Sequence, residues 1–200
     1  MFGDWEYLVS DLAYFYVLKS EARRKTMDAV NKRLLKSGSM KSWDKTTLCS
    51  ILGDEIGDAL AFARDDWPKF YGKSTHSGLS ESWEALAYRY WPRKDHFDLA
   101  IWQEVDGKQT LVALAVGNPS RARTHLTVKW IERYYGPNYL TGRALWPILT
   151  CAEEYAKLLG CERVLVKDPV DSQIYERYGY LKYRHPQVAH GGNYVGKELK

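Results

Sequence analysis

Cysteine is scarce in this chain of 200 residues. Cys49, Cys151 and Cys161 are an odd number with no CxxC spacing. This argues against a disulfide framework and a structural zinc site, and for a reducing, cytoplasmic setting. Long apolar runs are lacking too. No stretch of about 18 uncharged apolar residues occurs, so no membrane-spanning helix is expected. Met1 to Asp4 opens no basic-then-apolar leader, so no signal peptide is expected. There is no internal repeat, no HExxH, no serine nucleophile elbow and no Cys/His pairing cue. The five histidines, His76, His96, His125, His185 and His190, are scattered, and no metal site is expected.

Aromatics are plentiful: 8 Trp, 15 Tyr and 5 Phe, in a chain that is 45% apolar and 27% charged. That composition belongs to a packed globular protein and not to a disordered one. A chain of this length buries roughly 70% of its unfolded surface, enough for one good core. The net charge is +4, unevenly spread: residues 1–85 hold 12 Lys/Arg against 13 Asp/Glu, and residues 86–200 hold 17 against 12. The excess in the second part suits a phosphorylated ligand. Between Lys19 and Lys45 nine basic residues face three acidic ones. The i,i+4 pairs Glu21/Lys25 and Arg24/Asp28 make this a solvated helix face, and nucleic acid is not expected as a partner.

Residues 1–90 are expected to form a helical N-terminal segment packed on a sheet. An apolar stripe runs through Leu8, Leu12, Phe15, Leu18, Ala22, Met27, Val30 and Leu34 and predicts a helix of about 30 residues, closed by Ser37-Gly38-Ser39. Asp44 is placed to cap a second helix burying Leu48, Ile51, Leu52, Ile56, Ala59, Leu60 and Ala63, with Trp67-Pro68 closing it. A polar loop from Gly72 to Ser80 and a short helix around Ser82–Trp91 follow.

The period changes at His96, and residues 91–200 are expected to form the second unit. Phe97–Val105 and Thr110–Val116 read as strands joined by an Asp106-Gly107 hairpin turn. Asn118-Pro119-Ser120 makes another turn. A third strand reaches Arg133, with Leu126, Val128 and Trp130 alternating against Thr127, Lys129 and Ile131. After a loop comes a helix with Leu149, Ala152, Ala156 and Leu159 on one face, stopped at Gly160. Arg163–Lys167 is a short buried strand, Asp168-Pro169 opens another helix with Asp168 as its cap, and Tyr178-Gly179-Tyr180 ends it. Leu181–Arg184 and Tyr194–Leu199 are the last strands. The order β-β-β-α-β-α-β-β gives an α/β fold with a mixed central sheet: an antiparallel meander, then β-α-β-α-β-β.

Three pieces of this second part, in order, resemble the GNAT superfamily of acyl-CoA N-acyltransferases over residues 97–200. They are strand Leu126–Arg133 with the loop ending Thr141-Gly142-Arg143-Ala144-Leu145 and its helix, the strand Arg163-Val164-Leu165-Val166, and the run Ile174-Tyr175-Glu176-Arg177-Tyr178-Gly179-Tyr180. The resemblance implies an N-acyltransferase moving an acetyl group from acetyl-CoA, as co-substrate, to an amine acceptor, protein or small molecule. It implies a phosphate-binding loop at Leu140, Thr141, Gly142 and Arg143, ahead of a helix whose amino end favours anions. The loop departs from the family pattern. Pro137-Asn138-Tyr139-Leu140-Thr141-Gly142 keeps only the last glycine, Leu140 adds a Cβ where phosphate approaches, and Pro147 falls one turn into the helix. Gly142 is equally a plain turn residue, and Arg143 equally an exposed helix-start arginine. The resemblance makes Tyr175 the acid that protonates the departing thiolate; otherwise it is a core aromatic. Glu132, the acid of the central strand, is either the base for the amine, directly or through water, or a strand-end surface carboxylate. A second function class stays open: an inactive protein of this fold acting as a protein-binding or inhibitory module.

Overall fold

A two-residue turn sets the sheet. Asp106 and Gly107 both take positive φ, 50° and 77°, the geometry that matches the twist of the flanking strands. In this computed structural model, residues 3–37, 43, 45–53, 56–72, 79, 81–184 and 192–200 are described. The hairpin joins β2 (Phe97–Val105) to β3 (Lys108–Pro119), and β3 pairs antiparallel with β4 (His125–Arg133). Next come α4 (Leu145–Leu158), β5 (Arg163–Lys167), α5 (Ser172–Glu176), β6 (Leu181–Tyr183) and β7 (Tyr194–Glu198), after an amino-terminal part holding α1 (Gly3–Ser37), β1 (Thr46–Cys49), α2 (Ala59–Asp65) and α3 (Trp83–Tyr90). The seven strands lie in the order β1-β2-β3-β4-β5-β7-β6, and only β4 and β5 run parallel. The expected mixed α/β architecture is present.

Helices cover both faces, giving two cores. On one face α1 and α4 pack over Leu99, Ile101, Val128, Val164 and Val166. On the other, α2, α3 and a 3₁₀ turn at Trp67–Phe70 cover Ala100, Trp102, Leu111 and Leu114. Trp67 is fully buried there, and its indole N–H donates to the Leu111 carbonyl at 3.1 Å, so the ring fills the core without an unpaired donor.

The structure corrects three expectations. Residues 46–49 are an edge strand paired with β2, not a helix, and helix begins only at Ala59. Two consecutive threonines suit a pleated edge, and the open side of β2 supplies the ladder. Leu12 is 55% exposed, and among the described side chains the stripe of α1 that packs on the core begins at Phe15. Asp168 is no helix cap: it takes φ 48°, and its carboxylate accepts from the Asn193 N–H at 2.9 Å, tying the end of β5 to β7. The cap is Asp171, which accepts from the Gln173 N–H. Asp44, the Gly38-Ser39 turn, His76, His185 and His190 lie outside the described residues.

Candidate active site

The parallel pair at the centre of the sheet is incomplete. β4 and β5 match from His125↔Arg163 to Val128↔Val166 and no further, so Trp130 to Arg133 pair only with β3. A bulge falls at the same point. The β3–β4 register jumps from Gly117↔Val128 to Val116↔Trp130, leaving Lys129 as the extra residue. Gly117 is required opposite it, because a Cβ there would lie 2.1 Å from the Thr127 carbonyl oxygen. An extra residue inverts the alternation of everything after it. Val128 therefore packs under α1 and α4, whereas Trp130 belongs to the α3 face. The expected alternation of Leu126, Val128 and Trp130 on one face is overturned by this bulge. β4 thus runs on past the end of β5, which stops at Lys167, with its backbone re-aimed by the bulge.

The chain passes from β4 through a loop into α4. Gly142 has φ +74°, with open space where a Cβ would project. Leu140 turns inward and is 1% exposed, so it does not block the approach. Its N–H is engaged by the Asn138 side chain at 3.0 Å, that of Tyr139 by Gln103 at 3.0 Å, and that of Arg143 by the Leu140 carbonyl at 2.8 Å. The N–H groups of Thr141, Gly142, Ala144, Leu145 and Trp146 have no acceptor among the described residues. Helix α4 has no side-chain cap and no acid in its first turn, and its dipole favours an anion there. Pro147 is the third residue of α4, where an N–H would lack an intrahelical partner anyway, and the helix runs on through Leu158. The Arg33 guanidinium of α1 stands 4.5 Å from the Trp146 ring centre and adds a cation at this end.

Glu132 is not a surface carboxylate. It is 6% exposed on the α3 face, where Oε1 accepts from the Tyr71 hydroxyl at 2.7 Å and Oε2 from the Trp83 indole N–H at 2.6 Å. Burial pushes its pKa up, and the two hydrogen bonds oppose that shift without cancelling it. The Tyr71 phenol is in turn raised by burial and by Glu132. A carboxyl set this way is a stronger proton acceptor than a solvated one.

Tyr175 lies against the opposite core, below α4, edge-on to Tyr180 with ring centres 6.4 Å apart. Burial raises its pKa to about 12, so at neutral pH it carries its proton. Its hydroxyl has no hydrogen-bond partner among the described residues. Neighbouring Tyr180 differs: its hydroxyl donates to Glu153 at 3.2 Å, and Lys197 holds the same carboxylate at 2.8 Å. Glu132 and Tyr175 do not touch; each lines a different face of the sheet.

The described residues hold no group of His, Cys, Asp or Glu able to bind a metal ion. All three cysteines are buried and free, and burial lifts the Cys151 thiol to about 12 and Cys161 to about 11, which disfavours thiolate chemistry. His96 belongs to a buried cluster around Asp98, with Lys19 and Arg23 from α1. Sequence reasoning missed this cluster, along with Tyr71, Trp83 and Arg33, since apart from His96, two residues from Asp98, their partners lie between 48 and 113 positions away in the chain. No described helix is long and apolar enough to cross a membrane.

No family model matches the chain, and no curated protein is similar to it. Solved structures share its fold. FdhC, a nucleotide-linked sugar GNAT solved in its apo form, is 13% identical with a TM-score of 0.51, over 78% of this chain and 87% of its own. yncA of Salmonella typhimurium, solved with its cofactor acetyl-CoA, is 12% identical with a TM-score of 0.50, over 78% and 95%. A domain from Methanocaldococcus jannaschii is 14% identical with a TM-score of 0.50, over 78% and 99%. The likeness is one of fold: this chain has the GNAT fold.

Proposed function

We propose that this chain is an N-acyltransferase that moves an acetyl group from acetyl-CoA to an amine. The observations that carry this reading are the run of β4 past its last pair with β5 and the unsatisfied N–H groups at the amino end of α4. Those N–H groups, from Thr141 to Trp146, suit the pyrophosphate, with Arg143 and Arg33 as nearby cations. Past Val128 the β4 edge has no β5 partner and can pair with the amide-bearing arm of the donor.

The residues then divide the proton work. Glu132, with its raised pKa, takes the proton of the amine, and Tyr71 is the route to it, because the carboxylate itself is nearly sealed. The amine forms a C–N bond to the thioester carbonyl carbon, and a backbone N–H of the bulged stretch steadies the oxygen. The C–S bond breaks, and Tyr175 gives its proton to the sulfur. Tyr175 suits an acid and not a base, since burial keeps it protonated and no internal acceptor competes for its hydrogen. The test is thiol release from acetyl-CoA in the presence of an amine panel. Release that depends on both amine and protein supports the reading, and none with any amine contradicts it.

A second reading keeps the fold without the chemistry. Tyr88 is 82% exposed and Trp91 47%, beside a pocket that Leu52, Leu60 and Arg64 also line. Exposed aromatics around a pocket suit a partner surface. Under this reading the protein binds a partner and releases no thiol.

A further inference from the structure

The bulge residue Lys129 is unused by the steps above. It sits one position beyond the last β4–β5 pair. Its ammonium lies over the Tyr90 ring, 5.5 Å from the centroid, so the side chain is on the α3 face. Glu132 shares that face three residues on, about 10 Å along the strand. Lys167 points the same way, since its neighbour Val166 packs into the opposite core. Arg89 and Arg93, from the end of α3 and just after it, complete with Lys167 the three cations whose charges bear on Lys129, a group of four.

Three of the four have a carboxylate. Arg89 pairs with Glu81 at 2.8 Å, Arg93 with Asp95 at 3.1 Å, and Lys167 with Asp168 at 3.5 Å. Lys129 has no acidic partner among the described residues. It is half-buried, and burial together with its three cationic neighbours holds its pKa below the ordinary lysine range. A half-buried ammonium with no carboxylate of its own is costly unless a ligand supplies the counter-charge.

We propose that the acceptor amine carries an anionic group, a carboxylate or a phosphate, and that Lys129 binds it on the α3 face, beside the last β4–β5 pair. The amine then points along β4 toward Tyr71 and Glu132. The proposal rests on the acyl-transfer reading for the word acceptor, but the anion site itself is testable without catalysis. Polyamines and lysine-rich peptides meet four cations here and are disfavoured.

The experiment uses the full chain and matched pairs of amines: O-phosphoethanolamine against ethanolamine, and β-alanine against β-alanine amide. Melting shifts read binding, and thiol release from acetyl-CoA reads transfer. At least one anionic member is expected to bind and react tenfold or more better than its neutral partner; which pair shows this separates phosphate from carboxylate. The preference is expected to vanish in Lys129→Gln and to persist in Lys129→Arg, and Lys129→Gln is expected to melt no lower than the wild type without ligand. No melting shift with either anionic member at 10 mM, equal response to both members of each pair, or a preference that survives Lys129→Gln overturns the proposal. Anionic amines that bind the wild type but not Lys129→Gln, with no thiol release, leave the anion site standing and overturn acyl transfer.

Discussion

The Tyr71 phenol donates to Oε1 of Glu132 at 2.7 Å, joining the segment after the 3₁₀ turn to the far end of β4. Burial lifts the Glu132 pKa, and this bond restrains it. Tyr71→Phe removes the restraint, so the pKa rises further. Since the base works deprotonated, the acid limb of the kcat profile is expected to move to higher pH in the variant. Stability follows the same sign: a carboxyl raised in the folded state stabilises below its unfolded pKa and loses that contribution as pH rises through the folded value. Glu132→Gln is therefore expected to gain melting temperature relative to wild type as pH rises from 4.5. An acid limb unmoved by Tyr71→Phe contradicts Glu132 as the base.

Tyr175→Phe separates catalysis from packing. The hydroxyl has no internal partner to lose among the described residues, so the melting temperature is expected to stay close to wild type. Turnover is expected to fall by about 10²–10⁴, the worth of a positioned general acid. The loss shrinks for acyl donors whose leaving thiol is more acidic. Equal rates in the two proteins end the assignment.

Asp98 is a structural centre. Its Oδ2 accepts from Ser50 at 2.5 Å and from the Ile51 N–H at 2.9 Å, while Oδ1 is held by charge, 3.2 Å from Lys19 and 3.3 Å from His96. Burial favours the neutral acid, but the hydrogen bond to His96 and the charges of Lys19 and Arg23 outweigh it and hold the pKa well below the carboxylate range. Asp98→Ala strands buried cations and is expected to cost about 3–5 kcal/mol, read by denaturant unfolding. The stability Asp98 confers is present above the ordinary carboxylate pKa and is lost as pH falls through the depressed value. A loss under 1 kcal/mol contradicts this role.

The meander, the β4–α4–β5 unit and the turn glycines were legible because local chemistry dictates them: Asp106-Gly107 needs two positive φ values, and Gly160 closes a striped helix. Edge strand β1 was not, since Leu48, Ile51 and Leu52 also fit a helix and only pairing with β2 decides. The bulge at Lys129 was illegible as well. It depends on Gly117 in the neighbouring strand, and it moved Glu132 to the face opposite Val128. Asp168 precedes Pro169 as a cap would, but its bond to β7 takes it out of that role, and Asp171 caps the helix instead. The residues that hold Glu132 and Asp98 come from distant segments, which no local pattern announces.

Helix α1 covers the core it shares with α4, with Ala22 and Val30 buried between them. Residues 90–200 expressed alone are therefore expected to be insoluble or molten, with apolar surface exposed to dye. A soluble fragment with a cooperative melting transition contradicts this.

Binding of the donor tests the central claim most directly. The wild-type chain is titrated with acetyl-CoA and with desulfo-CoA while its melting temperature is followed. A true site adds roughly 2.7 kcal/mol of apparent stability at ligand 100 times its dissociation constant. Both ligands are expected to raise the melting temperature, since both present the pyrophosphate to the N–H groups at Thr141–Trp146. No shift at millimolar concentration of either ligand contradicts the account.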